Sequence, residues 1–312
     1  MKIFMTGISG LIGRHLARRL RQSGHTVSGL TRNVERASDV LPASVSLVDS
    51  FDDAQDYMPD VVINLAGAPI ADKRWSDRRK RELKDSRIAL TDELVDWMRQ
   101  MKQPPDVFIS GSAVGYYGRQ GDKEITEASD PHPEFTHELC QEWEQAALKA
   151  NDICRVCLLR TGLVVAPKGG FLDKMKLPFS LGLGGRIGSG QQYMSWIHLD
   201  DMVSGIEHLM KDSSLNGAFN MTAPNPVTNQ HFSQALASSL NRPAIFPAPA
   251  FAVKLLLGEM SDLLLTGQKV LPQRLTQSGF QFQYPNVEAA LVQVINKKKQ
   301  AFGTLRIWVI LN

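Results

Sequence analysis

The chain is short of the features that mark several large classes of protein. Its three cysteines, Cys140, Cys154 and Cys157, are odd in number and too few for a disulfide framework, which fits reduced thiols. Cys154 and Cys157 do spell C-x-x-C. They lie within CRVCLLRTGLVV, a run that reads as a buried strand, where an offset of three sends side chains to opposite faces. With no second Cys or His pair beside them, neither a redox nor a zinc motif is read there. No apolar run approaches the roughly 20 residues of a membrane span, and Lys2 leads straight into a strand. No membrane segment or secretory signal is therefore expected, and the cytoplasm is the expected compartment. Neither sign of charge dominates: the formal net charge is +3, and Asp72, Asp77, Glu82 and Asp85 are dispersed around the basic run from Lys73 to Arg81. A nucleic-acid surface needs one sign on one face, so no nucleic-acid partner is expected.

What is present is enough apolar sequence, 43% of 312 residues, to bury a large core. Strand candidates at 2–6, 26–31, 45–48, 61–65, 106–110 and 154–165 alternate with helix candidates at 11–22, 76–101 and 134–150. Such alternation predicts an α/β fold with a doubly wound parallel sheet. After residue 166 the sequence turns rich in proline and glycine, PKGGFLDKMKLPFSLGLGGRIGSGQQY, and reads as an ordered loop. SWIHLDDMVSGIEHLMKD then gives a strand and helix, AFNMT a strand, NQHFSQALASSLN a helix, and a final helix runs from Asn286 to Ile295. The ending NKKKQAFGTLRIWVILN does not fit this pattern: three lysines precede a strand-like apolar stretch from Leu305 to Leu311.

The first strand runs into Thr6-Gly7-Ile8-Ser9-Gly10-Leu11-Ile12-Gly13, with glycines spaced G-x-x-G-x-x-G. Strand, tight turn and amphipathic helix in that order are the setting of a dinucleotide site. Gly7 would permit the sharp turn, Gly10 would let the backbone meet a pyrophosphate, and Gly13 would let the helix pack closely on the strand. Free N–H groups at the helix start would bind the anion. In such folds an acid at the end of the second strand holds the ribose 2'-hydroxyl of NAD. Here that strand ends Leu30-Thr31-Arg32-Asn33. A guanidinium binds a 2'-phosphate that a carboxylate would repel, so NADP is the expected cofactor.

TGISGLIG, NLAG (Asn64 to Gly67) and SGSAVGYYG (Ser110 to Gly118) together resemble the extended short-chain dehydrogenase/reductase superfamily. KRW (Lys73 to Trp75), SRIALT (Ser86 to Thr91), LRTGLVVAP, LGLGG, SWIHLDD and LLLGEM...QKVLPQRL...GFQF narrow the resemblance. They are similar to the atypical NAD(P)-dependent epimerase-family proteins, often labelled sugar nucleotide epimerases. The likeness runs from Met1 to Ile295 and leaves the tail outside it.

It implies a Rossmann-type domain over 1–230, with loop 166–192 contributing to the substrate side, a smaller C-terminal lobe over 231–296, and an appended tail, 297–312. It also implies the residues that line the cofactor: Gly7, Ser9, Gly10, Leu11, Ile12, Gly13, Thr31, Arg32, Leu65, Ala66, Gly67, Glu82, Arg87 and Val164. Typical members of the superfamily use Ser or Thr with Tyr-x-x-x-Lys, the tyrosine as general acid/base. Ser112 matches the first position. If Glu144 is the Glu that usually stands four residues after the Lys, the Lys position holds Cys140 and the Tyr position Thr136, neither of which can play the usual part. Candidate replacements are Tyr116 and Tyr117, in the loop after the fifth strand, and His137, beside the vacated tyrosine position.

His198, Asp200 and Asp201 of WIHLDD stand at a strand-to-helix boundary, where capping is expected rather than a metal site. Gln191, Tyr193, Trp196 and Lys73 are read as pocket lining. The expected function is NADP(H)-dependent oxidoreduction or epimerisation of a small polar metabolite or nucleotide sugar. The alternative is a non-catalytic NADP(H)-dependent sensor or interaction protein. Monomer and homo-oligomer both remain open.

Overall fold

The computed structural model of the chain describes residues 1–296. The expected tail, including Leu305 to Leu311, lies outside the described residues. Among them, seven strands form one parallel sheet: Lys2–Thr6 (β1), Thr26–Leu30 (β2), Ser46–Val48 (β3), Val61–Asn64 (β4), Val107–Ala113 (β5), Arg155–Thr161 (β6) and Gly217–Met221 (β7). Their order across the sheet is β7-β6-β5-β4-β1-β2-β3. The helices that cross between them and follow them are Leu11–Gln22 (α1), Val34–Ser38 (α2), Asp77–Asp85 (α3), Ile88–Arg99 (α4), Phe135–Leu148 (α5), Gly170–Ser180 (α6), Leu199–Lys211 (α7), Asn229–Ser239 (α8) and Ala250–Leu257 (α9).

The strands read as unbroken apolar runs because both faces of the sheet are covered. Side chains alternate between the two faces. Ile3 and Met5 join Leu16 and Leu20 of α1 and Met202 and Ile206 of α7 on one side. Phe4 joins Phe108, Leu94 and Met98 of α4, and Ala147 of α5 on the other. A second core gathers Val165, Leu172, Phe179 and Trp196 with Phe232 and Leu236 of α8 and with Ala290, Leu291 and Val294 of the last helix, 287–296.

Three expected elements are divided or replaced. The strand expected over 154–165 ends at Thr161 and resumes as Leu163–Val165, which pairs with Trp196–His198. The break falls at Gly162, where a Cβ would stand 2.5 Å from the Ser195 carbonyl oxygen. The helix expected over 76–101 is two helices, broken at Ser86 and Arg87, where Ser86 Oγ accepts the Ala68 N–H and Arg87 turns its guanidinium onto the Leu83 and Ala68 carbonyls. The loop expected over 166–192 contains α6, whose buried Leu172, Lys176 and Phe179 fall at helical spacing despite Pro178 in its last turn. The glycine-rich remainder is irregular.

Candidate functional site

The order of strands reverses about β1, which has β2 on one side and β4 on the other. The crevice beyond the carboxyl ends of those strands is where open α/β sheets bind their ligands. The glycine turn stands there. Gly7 has φ +65°, and a Cβ on it would meet the Leu65 carbonyl carbon at 2.5 Å. A Cβ on Gly13 would run into the Gly7 carbonyl oxygen, so that glycine sets the close approach of α1 to the turn. Gly10 differs: its φ is −68°, open to any residue, and its N–H donates to the Gly7 carbonyl at 2.9 Å. The α1 N-terminus carries neither a side-chain cap nor an acid in its first turn. Its first helical hydrogen bond runs from Arg14 N–H to the Gly10 carbonyl. The N–H groups of Leu11, Ile12 and Gly13 thus stand at the positive end of the helix dipole, with exposed Ser9 beside them, in the arrangement that receives an anion.

Arg32 is exposed just past the end of β2, next to half-buried Thr31. The neighbouring Asn33 is committed to capping α2, its Oδ1 accepting the Arg36 N–H at 2.8 Å. None of the ion pairs or side-chain hydrogen bonds among the described residues engages Arg32. At the end of β4, Leu65 and Ala66 are half-buried and Gly67 is exposed. This turn is held from below: Thr6 Oγ1 donates to Asn64 Oδ1 at 2.6 Å, and Asn64 Nδ2 donates to Thr91 Oγ1 at 2.8 Å.

Arg87 lies under the same turn. Its Nη2 donates to the Ala68 carbonyl at 2.9 Å, and a Cβ on Gly67 would meet its Cζ at 3.0 Å. Burial lowers its pKa from the ordinary value, and the guanidinium braces the β4 turn. Glu82, exposed on α3, is bound to Arg79 at 2.7 Å, and that hydrogen bond lowers its pKa. Val164 is half-buried in Leu163–Val165.

The candidate proton donors are placed otherwise than their sequence positions suggest. Ser112 Oγ is buried and donates to Glu144 Oε1 at 2.7 Å. Glu144 holds Arg160 by both oxygens at 2.9 Å. Arg160 Nη1 donates to the Tyr117 hydroxyl at 2.9 Å, and that hydroxyl donates to Asn220 Oδ1 at 2.7 Å. Tyr117 is 0% exposed, and burial pushes its pKa up to about 12. It is a strut of a buried network and not a pocket acid. His137 is buried too, its Nδ1–H donating to the Tyr116 carbonyl at 2.6 Å and its ring set edge-on to Tyr116. Tyr116 is half-buried, with the Arg160 guanidinium 3.4 Å from its ring centre. Cys140, at the lysine position, is a buried thiol whose pKa burial pushes up to about 12. It supplies no positive charge.

A cavity of about 880 Å³ adjoins these positions, and Ser112, Tyr116, Tyr117 and His137 are not among its walls. Thr136, at the tyrosine position, does line it, together with Gly115, Leu163 and Glu134. Thr136 Oγ1 donates to Glu134 Oε1 at 2.6 Å. Glu134, the residue before α5, is the ionisable group that the sequence reading passed over. Its signal was an acid two residues before the vacated tyrosine. Arg160 was passed over as well, although a lone cation inside the apolar run CLLRTG called for a buried counter-charge.

Of the expected pocket lining, Tyr193 is in the cavity wall. Trp196 is fully buried in the second core with its Nε1 donating to the Asn225 carbonyl, while Gln191 and Lys73 are exposed outside the cavity wall. His198 caps α7 by accepting the Asp200 N–H at 3.0 Å, and Asp201 accepts the N–H groups of Gln283 and Tyr284. Among the described residues no group of three or more His, Cys, Asp or Glu is placed to hold a metal ion. Cys154 and Cys157 are free, each bonded to a different carbonyl, Ala150 and Leu215. No described helix is long and apolar enough to cross a membrane.

Comparison with known proteins identifies the family and the fold. Residues 3–221 match the NAD dependent epimerase/dehydratase family, and residues 248–294 match a domain of unknown function, DUF1731. The chain is 42% identical over 298 residues to the chloroplastic epimerase family protein SDR39U1 homolog of Arabidopsis thaliana, covering 93% of this chain and 86% of that protein. It is 39% identical over 303 residues to the epimerase family protein ML0860 of Mycobacterium leprae, covering 96% and 97%. The crystal structure of human epimerase family protein SDR39U1 (isoform2) with NADPH superposes with a TM-score of 0.87 at 31% identity, over 95% of this chain and 99% of that one.

Proposed function

Because the chain belongs to the NAD dependent epimerase/dehydratase family, we propose that it binds NADP(H) and serves as an oxidoreductase for a small molecule in the cytoplasm. The observation that carries this reading is a shared edge: the uncapped α1 N-terminus, the exposed Arg32 and the cavity wall at Gly115, Thr136 and Leu163 all stand at the carboxyl end of one sheet. The human relative's NADPH supports the choice of cofactor. In the proposed division of labour, residues 1–230 hold the cofactor, while loop 166–192 and lobe 231–296 enclose the substrate.

The residues that fit NADP(H) follow from the chain's own chemistry. The N–H groups of Leu11, Ile12 and Gly13 take the pyrophosphate, which Gly10 lets approach the backbone. Thr31 and Arg32 take the 2'-phosphate, Leu65 to Gly67 line the ribose side, and Val164 lies toward the nicotinamide. Bound there, NADPH supplies a hydride to a carbonyl carbon. The oxygen of that carbonyl needs a proton, and an ionisable group on the cavity wall at the vacated tyrosine position is Glu134, joined to Thr136 by a 2.6 Å hydrogen bond. In this reading Glu134 exchanges the proton through the Thr136 hydroxyl. Tyr116 is the second candidate and serves as the comparison.

Single-turnover NADPH oxidation distinguishes them. Glu134→Gln is expected to lower the rate by about 10² to 10⁴ with NADPH affinity unchanged, and Tyr116→Phe to lower it less. The second reading, a non-catalytic NADP(H) sensor, is favoured by the commitment of Ser112 to the buried Glu144–Arg160 pair. Tight NADPH binding with no turnover on a broad carbonyl panel would establish it in place of the enzyme.

A further inference from the structure

Taking the cavity as the substrate side of that NADP(H) site, we infer that its substrate is an uncharged, largely apolar carbonyl or alcohol and not a nucleotide sugar. The wall away from the sheet is built from Phe171, Met175, Phe179, Leu183, Met194 and Phe246. A diphosphate needs cations or unopposed N–H groups in that wall. Its cations among the described residues are Arg119 and Lys174, and both already have carboxylates: Arg119 Nε lies 3.4 Å from Glu134, and Lys174 Nζ lies 2.8 Å from Asp72. Three carboxylates, Glu134, Glu259 and Asp262, line the same space. The α5 N-terminus, which would otherwise receive a phosphate, has Glu134 as its first flanking residue.

Several polar side chains of the wall are also occupied from within the protein. Ser195 Oγ donates to the Gln268 carbonyl at 2.7 Å and accepts the Val270 N–H at 2.9 Å. Asn229 Oδ1 accepts the Ile187 N–H at 2.7 Å. Gln192 Nε2 donates to the Ile187 and Leu264 carbonyls. Gln192 Oε1, by contrast, is buried without a hydrogen-bond partner. It can be satisfied by a ligand hydroxyl but not by phosphate oxygens, which only accept.

The entrance is apolar as well. Leu183 and Phe246 line the cavity while 57% and 53% exposed. Beyond them Leu181 and Ile245 face solvent on the two segments that Phe246 N–H and the Gly184 carbonyl join. Reduction of such a ligand adds one hydride to the carbonyl carbon and one proton to the oxygen, giving an alcohol and NADP⁺ with no further reactant.

The test measures binding of acetonaphthone and of UDP-glucose to the full chain by calorimetry, with and without NADP⁺, alongside turnover. Acetonaphthone is expected to bind at least about tenfold more tightly than UDP-glucose, and Met175→Lys and Leu183→Lys are each expected to weaken it about tenfold or more. NADPH affinity should stay unchanged in both. Leu183 is mostly exposed, so its variant reports on the entrance even if Met175→Lys fails to fold. UDP-glucose binding as tightly as the ketone, or no binding of either, would overturn the inference. Ketone binding to the cavity without NADPH affinity or oxidation would sustain it while refuting the oxidoreductase reading.

Discussion

Arg160 is a cation in the interior, held by both oxygens of Glu144 and capped by the Tyr117 hydroxyl. Burial works against its charge, and Glu144 more than offsets that, holding its pKa above the ordinary value. Removing one partner leaves the other charge buried and unpaired. Arg160→Met is therefore expected to cost about 3–5 kcal/mol of stability, read from urea unfolding, and Arg160→Met with Glu144→Leu to cost less than the single change. A single variant no less stable than the double would show that the pair is hydrated. Arg32 is the opposite case, an exposed cation with nothing to hold in the protein. Arg32→Ala should leave stability unchanged and reduce the preference for NADPH over NADH by about 1.5–3 kcal/mol, the worth of charged hydrogen bonds. Fluorescence titration with both cofactors checks it, and equal affinities in the unmutated protein would remove the 2'-phosphate from Arg32.

At the scale of elements, the three glycines of the first turn have unequal tasks. Gly13 has no room for a Cβ against the Gly7 carbonyl, whereas Gly10 has ordinary φ and meets that oxygen at 3.0 Å. Gly13→Ala should lower thermal stability, while Gly10→Val should stay folded by circular dichroism and lose NADPH binding in calorimetry. Retained affinity in a folded Gly10→Val protein would reduce the motif to a turn. The spacing of these glycines was visible in the sequence, as were the seven sheet strands, because apolar runs between turn signals depend on local order. The helix break at Ser86–Arg87 was not visible, since it is made by the Ala68 carbonyl and N–H arriving from elsewhere in the chain. The same holds for the proton donors: Tyr117 and His137 look available in a list of residues, and only their partners Arg160, Asn220 and the Tyr116 carbonyl show them to be engaged. Glu134 was marked only by its place two residues before the vacated tyrosine position, a signal that its neighbours Pro133 and Phe135 do nothing to reinforce.

Across the whole molecule, the sheet is finished at Met221, yet the second core is not. Leu172, Phe179 and Trp196 are covered by Phe232, Leu236, Ala290, Leu291 and Val294, which all come later. A chain ending at Met221 should therefore aggregate or unfold without cooperativity despite holding every strand of the parallel sheet. A soluble monomer of that length with a sharp thermal transition, by gel filtration and calorimetry, would show that the first core is self-sufficient. The strand order also has a consequence in time. β6 pairs with β7 across the intervening residues 162–216, so on the ribosome it waits for its outer neighbour for roughly 3–11 s at a synthesis rate of about 5–20 residues per second. Through that interval the growing polypeptide carries a bare apolar strand edge, open to pairing with other nascent chains, and a faster-translated message would shorten that vulnerability without altering a single residue.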